Sequence, residues 1–324
     1  MDLSIVIVNY NGRDLLRRCL TSVFSQERSC EFETIVVDNG STDGTESMLA
    51  MEFPHVVVVL NRDNRGFAAA NNQGIFRARG RHVLLVNSDT EIIDDALEKS
   101  VEFMRTKPMA GIVGCRLLYP DGKSQPSVYS FPDLWNLFCE MTFLYRAFPN
   151  SRLFGRYYMS YFNYAEAGQV GWLSGAFFLI HRDVIEKIGL LDEQFFMYSE
   201  EMDYCLRAAR AGFETWYTPS ATVVHHWLTV NKVTSRGLAW VLLSQLLYFE
   251  KHFSGFRRFA MKALRVSGIV LRLLIYPIVG AIGMRKSIFH EWKCLLTALW
   301  KVSRSGIHYG DGQMAVAWIR FIEA

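Results

Sequence analysis

The chain opens on an alternation of strand-like and helix-like segments, and this pattern constrains its fold more than any other feature. Leu3-Ser4-Ile5-Val6-Ile7-Val8 is a β-branched run that reads as a buried strand. The turn Asn9-Tyr10-Asn11-Gly12 follows, then a helical pattern through Leu15, Leu16, Cys19, Leu20 and Val23. The unit recurs as Phe32-Glu33-Thr34-Ile35-Val36-Val37-Asp38 with a Ser/Thr/Gly turn and a helix, as residues 56–60, and as His82-Val83-Leu84-Leu85-Val86-Asn87. Strands alternating with helices imply an α/β, Rossmann-like fold, a mostly parallel sheet with helices on both faces. Ligands of such sheets collect where the strands end, which points to Asn9, Asp38 and Asp89.

From about 110 to 180 the alternation loosens into segments rich in Phe, Tyr and Trp, and the reading there is an insertion or lid outside the sheet. Trp172-Leu173-Ser174-Gly175-Ala176-Phe177-Phe178-Leu179-Ile180 reads as loop into strand, and a helix starts at Ser199 and ends near Gly212. A linker near 228–237 separates a catalytic domain, 1–235, from a C-terminal helical tail, 236–324. Half of the 324 residues are hydrophobic, too many for disorder, yet no run of about 20 apolar residues marks a spanning helix. The start lacks the basic region and cleavage site of a signal peptide, so a cytoplasmic location is expected. Cys19, Cys30, Cys115, Cys139, Cys205 and Cys294 form no Cys-x-x-Cys pair, which argues for buried thiols over a disulfide framework or structural zinc. Residues 236–324 carry 13 Lys+Arg against 4 Asp+Glu, whereas residues 1–235 carry 22 against 28. The basic tail is apolar as well, which favours an anionic membrane surface over nucleic acid as its partner.

Four constellations carry chemistry. In Val36-Val37-Asp38-Asn39-Gly40-Ser41-Thr42-Asp43-Gly44 a strand ends in a carboxylate that can accept from a base or ribose, while the turn amides favour anions; Ser41 and Asp43 equally read as helix caps. Val86-Asn87-Ser88-Asp89 can place Asp89 on a divalent metal that also holds a diphosphate, or can be an ordinary turn. Glu200, Glu201 and Asp203 crowd the first turn of a helix behind Phe195 and Phe196. Helix-dipole complementarity explains acids there, but crowding also raises proton affinity, which suits a general base. A strand-like run ends in His225-His226, and His225 completes an oxygen/nitrogen metal set with Asp89.

In this order the segments IVIVNYNG (5–12), VVDNGSTDGT (36–45), NRGFAAANNQG (64–74), LLVNSDT (84–90), the long stretch from Trp172 to Gly212 and VVHH (223–226) resemble glycosyltransferase family 2, in particular its bacterial rhamnosyltransferase-like members, across residues 3–230. The resemblance implies a glycosyltransferase A-type fold and an inverting, metal-dependent (Mg or Mn) transferase. Its nucleotide diphospho-sugar would lie against Val8, Asn9, Asp38, Asn64, Arg65, Gly66, Asn87 and Ser88. It implies Asp89 and His225 as metal ligands, Glu201 as the general base, and Trp172, Gly175, Glu200 and Asp203 on the acceptor side, with Glu200 and Asp203 positioning either the acceptor or the helix. The chain departs from the family pattern in three places. Asn87 stands for the first Asp of a strict DXD, Glu201 for the commoner Asp, and His226-Trp227-Leu228-Thr229 for a glycine-rich stretch.

The reaction so implied passes a sugar, rhamnose from dTDP-rhamnose by resemblance and a UDP-sugar in second place, to a hydroxyl of a lipid-linked or polysaccharide acceptor. A Rossmann dehydrogenase is set aside because the first turn lacks Gly-x-Gly-x-x-Gly. A sugar nucleotidyltransferase lacks its glycine-rich loop with Arg and Lys, and a non-catalytic carbohydrate-binding scaffold would have no use for Asp38, Asp89, Glu201 and His225 together. Across 256–277, Arg258, Lys262, Arg265 and Arg272 share one helical face, while Phe259, Ala263, Val266, Val270, Leu273 and Leu274 share the other. The expectation is an amphipathic helix on the cytoplasmic face of the inner membrane with its cations toward anionic lipid. Arg272 and Pro277 disfavour a helix spanning 266–284, and packing on the enzyme is the alternative.

Overall fold

The computed structural model describes residues 1–26, 31–226, 235–281 and 297. Its elements in chain order are β1 (Leu3–Asn9), α1 (Arg13–Phe24), β2 (Phe32–Asp38), α2 (Thr45–Glu52), β3 (Val57–Leu60), α3 (Phe67–Arg77), β4 (His82–Asn87), β5 (Thr90–Ile93) and α4 (Ala96–Arg105). Next come β6 (Ala110–Leu118), β7 (Ser124–Gln125), β8 (Val128–Tyr129), α5 (Leu134–Met141), α6 (Leu144–Ala147), β9 (Gly168–Val170), β10 (Trp172–Leu173) and β11 (Phe177–His181). The chain continues through α7 (Arg182–Ile188), α8 (Glu200–Arg210), β12 (Glu214–His225), α9 (Ser235–His252) and α10 (Gly255–Ala281). Two compact units result. The first holds residues 1–129, 163–192 and 201–227, and the second residues 130–162, 193–200 and 228–324.

In the first unit one sheet runs in the order β3-β2-β1-β4-β11-β6-β12-β5. Strands β3, β2, β1 and β4 are mutually parallel, as the strand–helix alternation predicts, and β12 runs parallel to β6. Strand β11 is antiparallel to both its neighbours. Both faces of β1 are buried, so its sequence is apolar without alternation. Leu3, Ile5 and Ile7 join the core with Leu16, Cys19, Leu20 and Val23 of α1. Those four helical residues recur at the spacing of one helix face. On the other face α3 lies close to β1 because Gly74 has no side chain; a Cβ there would come 2.2 Å from Val6 Cγ1. Cys19, Cys115, Cys139 and Cys205 are buried free thiols, whereas Cys30 and Cys294 lie outside the described residues.

One expectation about the sheet is corrected. Residues 110–118, read as the start of an insertion, form β6 between β11 and β12. Ala110-Gly111-Ile112-Val113-Gly114-Cys115 is buried throughout, and a strand covered on both faces shows no period of two to detect. The linker near 228–237 lies largely outside the described residues.

In the second unit α10 forms a helix over the stretch read as amphipathic, but its polarity is opposite to the expectation. Arg265 Nη1 donates to Glu140 Oε1 at 2.8 Å, with both side chains about nine-tenths buried, and Arg272 donates to the Glu140 carbonyl at 3.2 Å. Arg258 and Lys262 both reach Glu250. These four cations therefore turn toward acids of α5 and α9, while Arg257 is exposed. The stripe Phe256 (79% exposed), Phe259, Val266, Val270 and Leu274 (63%) faces outward. Desolvated guanidinium groups require such partners, and nothing in the local pattern reveals that Glu140 and Glu250 supply them. Among the described residues no helix is long and apolar enough to cross a membrane.

Burial of His82, whose Nδ1 lies 3.1 Å from the Asp2 carbonyl and whose ring meets that of His181 edge-on at 5.2 Å, holds its pKa below the ordinary histidine value. A depressed histidine pKa means that the unfolded chain binds the proton first, so stability falls as pH drops below about 6.5. The melting temperature should rise between about pH 5 and pH 7, and His82→Gln should flatten that rise. Scanning calorimetry of both proteins across the range checks this, and parallel curves would count against it.

Candidate active site

The rim at which β1, β2 and β4 end gathers most of the polar residues singled out from the sequence. Asn9 and Asp38 stand level across β1 and β2, and Val8 stands level with Asn87 of β4. Asn9 is fully buried, and its Nδ2 donates to Asp38 Oδ1 and Thr45 Oγ1 (each 3.2 Å) and to Ser41 Oγ (3.3 Å). Ser41 donates to Asp38 through its hydroxyl (2.6 Å) and its backbone N–H (3.1 Å). This net leaves Asn9 Oδ1 buried with no hydrogen-bond partner among the described residues. A Cβ on Gly12 would come within 2.8 Å of that oxygen, so only glycine lets the turn after β1 pass there. Asp43, as the capping alternative has it, accepts from the amides of Arg13 (2.8 Å) and Thr45 (3.2 Å).

Asn39 organises the neighbouring loop. Its Nδ2 donates to Asn64 Oδ1 (2.8 Å), and its Oδ1 accepts from the Arg65 amide (3.1 Å) and Asn61 Nδ2 (3.0 Å). Asn64 in turn accepts from the Gly66 amide at 3.0 Å. Asn64, Arg65 and Gly66 are thereby fixed beside Asp38, with Gly66 at φ 86° as the chain enters α3.

Asn87-Ser88-Asp89 spans the crossover from β4 to β5. The end of β12 lies alongside, His225 pairing with Thr90, which brings His225 Nε2 to 3.2 Å from Asp89 Oδ1. His225 is buried, and its Nδ1 sits 2.9 Å from Gln125 Oε1. His226 faces elsewhere. Its Nε2 is 2.7 Å from Glu91 Oε1, and its amide donates to the Asp89 carbonyl at 2.9 Å. Asn87 Nδ2 lies 3.4 Å from His225 Nε2, and Asn87 Oδ1 is a second buried oxygen with no hydrogen-bond partner among the described residues. No cluster of three or more His, Cys, Asp or Glu side chains with metal-ligand spacing occurs among the described residues. The donors present are one carboxylate and one imidazole with an unsatisfied amide oxygen beside them. That set fits a hard divalent cation whose remaining ligands come from diphosphate or water.

Glu201, in the first turn of α8, reaches the same rim through the loop before β11. Its Oε1 accepts from the Gly175 amide at 3.1 Å, and a Cβ at position 175 would fall 2.4 Å from that oxygen. The carbonyl of the next residue, Ala176, accepts from Asn87 N and Thr90 Oγ1, each at 3.3 Å. Tyr198 (φ 70°) and Ser199 (φ 68°) enter α8 in left-handed conformations, and such strain concentrates at functional sites. Trp172 stacks on Tyr129 with ring centres 4.2 Å apart. Of the two roles open to Glu200 and Asp203, acceptor or helix, burial favours the helix. Asp203 is fully buried and paired with Arg207 at 2.8 Å, so it braces the helix and does not face a ligand. Glu200 is 2% exposed and likewise presents no surface.

Sequence reasoning overlooked Gln125 and Asn39. The Asn-Gly dipeptide directly after Asp38 was a usable signal for Asn39, whereas Gln125 sits in a polar hairpin with no motif.

A model of the family described as Glycosyl transferase family 2 matches residues 4–189. An N-acetylglucosaminyl-diphospho-decaprenol L-rhamnosyltransferase of Mycobacterium tuberculosis is 29% identical over 236 residues, covering 69% of this chain and 76% of the relative. The putative teichuronic acid biosynthesis glycosyltransferase TuaG of Bacillus subtilis is 37% identical over 125 residues, covering 37% of this chain and 48% of that protein. Among solved structures, the mannosyltransferase PcManGT from Pyrobaculum calidifontis, in complex with GDP-Man and Mn2+, is similar with a TM-score of 0.60 and 17% identity, covering 94% of this chain and 88% of the other. At that identity the likeness speaks for the fold, which is the glycosyltransferase A type. With more than half of its length matched by the family model and its polar rim built on that fold, the chain belongs to glycosyltransferase family 2.

Proposed function

We propose that the protein is an inverting, metal-dependent glycosyltransferase of cell-surface glycan synthesis that passes rhamnose from dTDP-rhamnose to a hydroxyl of a lipid-linked or polysaccharide acceptor. The observation that carries this reading is the short bonded path from Glu201 through Gly175, Ala176 and Asn87 to the Asp89–His225 pair, on the rim that Asn9 and Asp38 share. The rhamnose donor and the lipid-linked acceptor are taken from the name of the mycobacterial relative.

In this mechanism the nucleotide lies against the rim built by Val8, Asn9, Asp38 and the Asn64-Arg65-Gly66 loop. Glu201 removes the acceptor hydroxyl proton as that oxygen attacks the anomeric carbon. The bond to the diphosphate breaks on the opposite face, and its electron pair leaves with the nucleoside diphosphate. Asp89 and His225, beside Asn87 and Ser88, would hold the divalent ion, which supplies neutralisation of the charge growing on the leaving phosphate. Gly175 holds Glu201 Oε1 through its amide and so orients the carboxylate. Trp172, stacked on Tyr129, offers an apolar face to the acceptor sugar. The protein works as a peripheral enzyme on the cytoplasmic face of the membrane, attached through the exposed stripe of α10, with residues 236–324 as its membrane-associating tail.

Glu201→Gln should keep donor binding and lose on the order of 100-fold or more in turnover, measured as nucleoside diphosphate release. Gly175→Ala should lower turnover in the same assay because its methyl group displaces the Glu201 carboxylate; near-normal turnover in either variant would reject the base assignment. A donor panel run with Mn2+ or with chelator tests sugar and metal together, and unchanged turnover under chelation would sink the metal. Replacing Phe256, Phe259 and Leu274 by serine should lower vesicle binding in a flotation assay by about 10-fold or more, since each large apolar group is worth about 1.5–3 kcal/mol when buried. Equal flotation would place the attachment elsewhere.

A further inference from the structure

We infer that Gln125 is a positioning residue that holds His225 with its proton on Nδ1, keeping the Nε2 lone pair directed at the Asp89 side of the site. The inference rests on the metal reading given above and deepens it.

Gln125 reaches His225 by register. It stands level with Leu117 in the β6–β7 hairpin, and Leu117 stands level with Val223 of β12, two residues before His225. With a strand period of two, Val223 and His225 share a face, and the glutamine side chain reaches the imidazole from across β6. The contact is built to hold one geometry. Gln125 is 4% exposed, His225 is 6% exposed, and Nδ1 to Oε1 is 2.9 Å. The hairpin turns at Gly122 (φ 80°), and the backbone just beyond Gln125 is tied down by the Tyr164 hydroxyl, which accepts from the Ser127 amide at 3.0 Å.

An amide oxygen accepts and cannot donate, so the imidazole nitrogen facing it carries the hydrogen. The second nitrogen then presents its lone pair, with the Asn87 amide nitrogen as a long neighbour at 3.4 Å. It faces Asp89 Oδ1 at 3.2 Å, where two electron-rich atoms repel unless a cation or proton lies between them. Ligating histidines commonly use their other nitrogen in this way, and losing such a partner costs about 10–100-fold in metal affinity. Were the glutamine amide turned the other way, its NH2 would donate to Nδ1, and His225 would give an Nε2 hydrogen to Asp89. That arrangement is a closed structural hydrogen bond with no place for a metal, and the two differ in an observable way.

The test uses the full chain with 15N-labelled histidine, Mn2+ as the probe, and the variants Gln125→Leu and Gln125→Glu. The metal-free protein should show a His225 imidazole, assigned by its loss in His225→Gln, with hydrogen-bonded N–H at Nδ1. This signature should persist in Gln125→Glu and change in Gln125→Leu. Mn2+ affinity, read by electron paramagnetic resonance with dTDP present, should fall about 10–100-fold in Gln125→Leu and be retained in Gln125→Glu, with both variants folded by circular dichroism. An unprotonated Nδ1 in the wild type, or wild-type Mn2+ affinity in Gln125→Leu, overturns the inference and leaves the metal reading standing. Wild-type protein that binds no Mn2+, or an Asp89→Ala variant that binds it as well as wild type, removes the metal reading and the inference with it.

Discussion

The candidate site depends on the hydrogen bond between the Asn87 amide and the Ala176 carbonyl, because it records where an antiparallel strand has been let into a parallel sheet. Strand β11 lies beside β4 and runs against it, so the loop that precedes β11 sits where β1, β2 and β4 finish. A further parallel strand would have put its leading loop at the opposite edge. The reversal lets Gly175 present its amide to Glu201 next to Asn87, and it brings a carboxylate from late in the chain to a rim whose nucleotide side is built from the first 90 residues.

Polar groups at this rim are mostly satisfied by one another, which fixes their positions before any ligand arrives. Asn9, Asp38, Ser41 and Thr45 form one closed set, while Asn39, Asn61, Asn64 and the Arg65 amide form another. Side chains locked in this way lose little further freedom on binding, and that preorganisation favours both affinity and rate. Of the two buried oxygens left over, the one on Asn9 lies under the Gly12 turn and the one on Asn87 beside the Asp89–His225 pair. Burying an acceptor without a partner costs about 1–3 kcal/mol, a cost tolerated where a ligand later supplies the donor or cation.

Much of this was legible in the sequence because strand ends advertise themselves. An apolar run stopping at Asn9, Asp38 or Asn87 marks a chemical position as well as a boundary. The acids at 200, 201 and 203 were visible as a cluster, but sorting them needed coordinates, since only the turn of α8 decides that Asp203 meets Arg207 while Glu201 meets Gly175. Strand β6 was hidden because burial on both faces erases alternation. Gln125 was hidden because its neighbour His225 is 100 residues away, and pairing across a sheet leaves no local trace. The outward stripe of α10 was seen as a stripe, and its direction was misread because the acids that capture its arginines lie on other helices.

That direction alters how attachment through α10 would respond to its surroundings. Of the five cations along the helix, Arg258, Lys262, Arg265 and Arg272 are bound to protein oxygens and Arg257 is exposed over the Phe253 ring, so that Phe256, Phe259, Val266, Val270 and Leu274 make up most of the outward groups. Contact made by aromatic and aliphatic groups is hardly screened by ions, in contrast to attraction between exposed charges. It grows with the depth to which rings enter between acyl chains, and so with packing defects and curvature. Adhesion through this helix would therefore largely tolerate brine, Arg257 apart, and discriminate among bilayers by how loosely their lipids are packed.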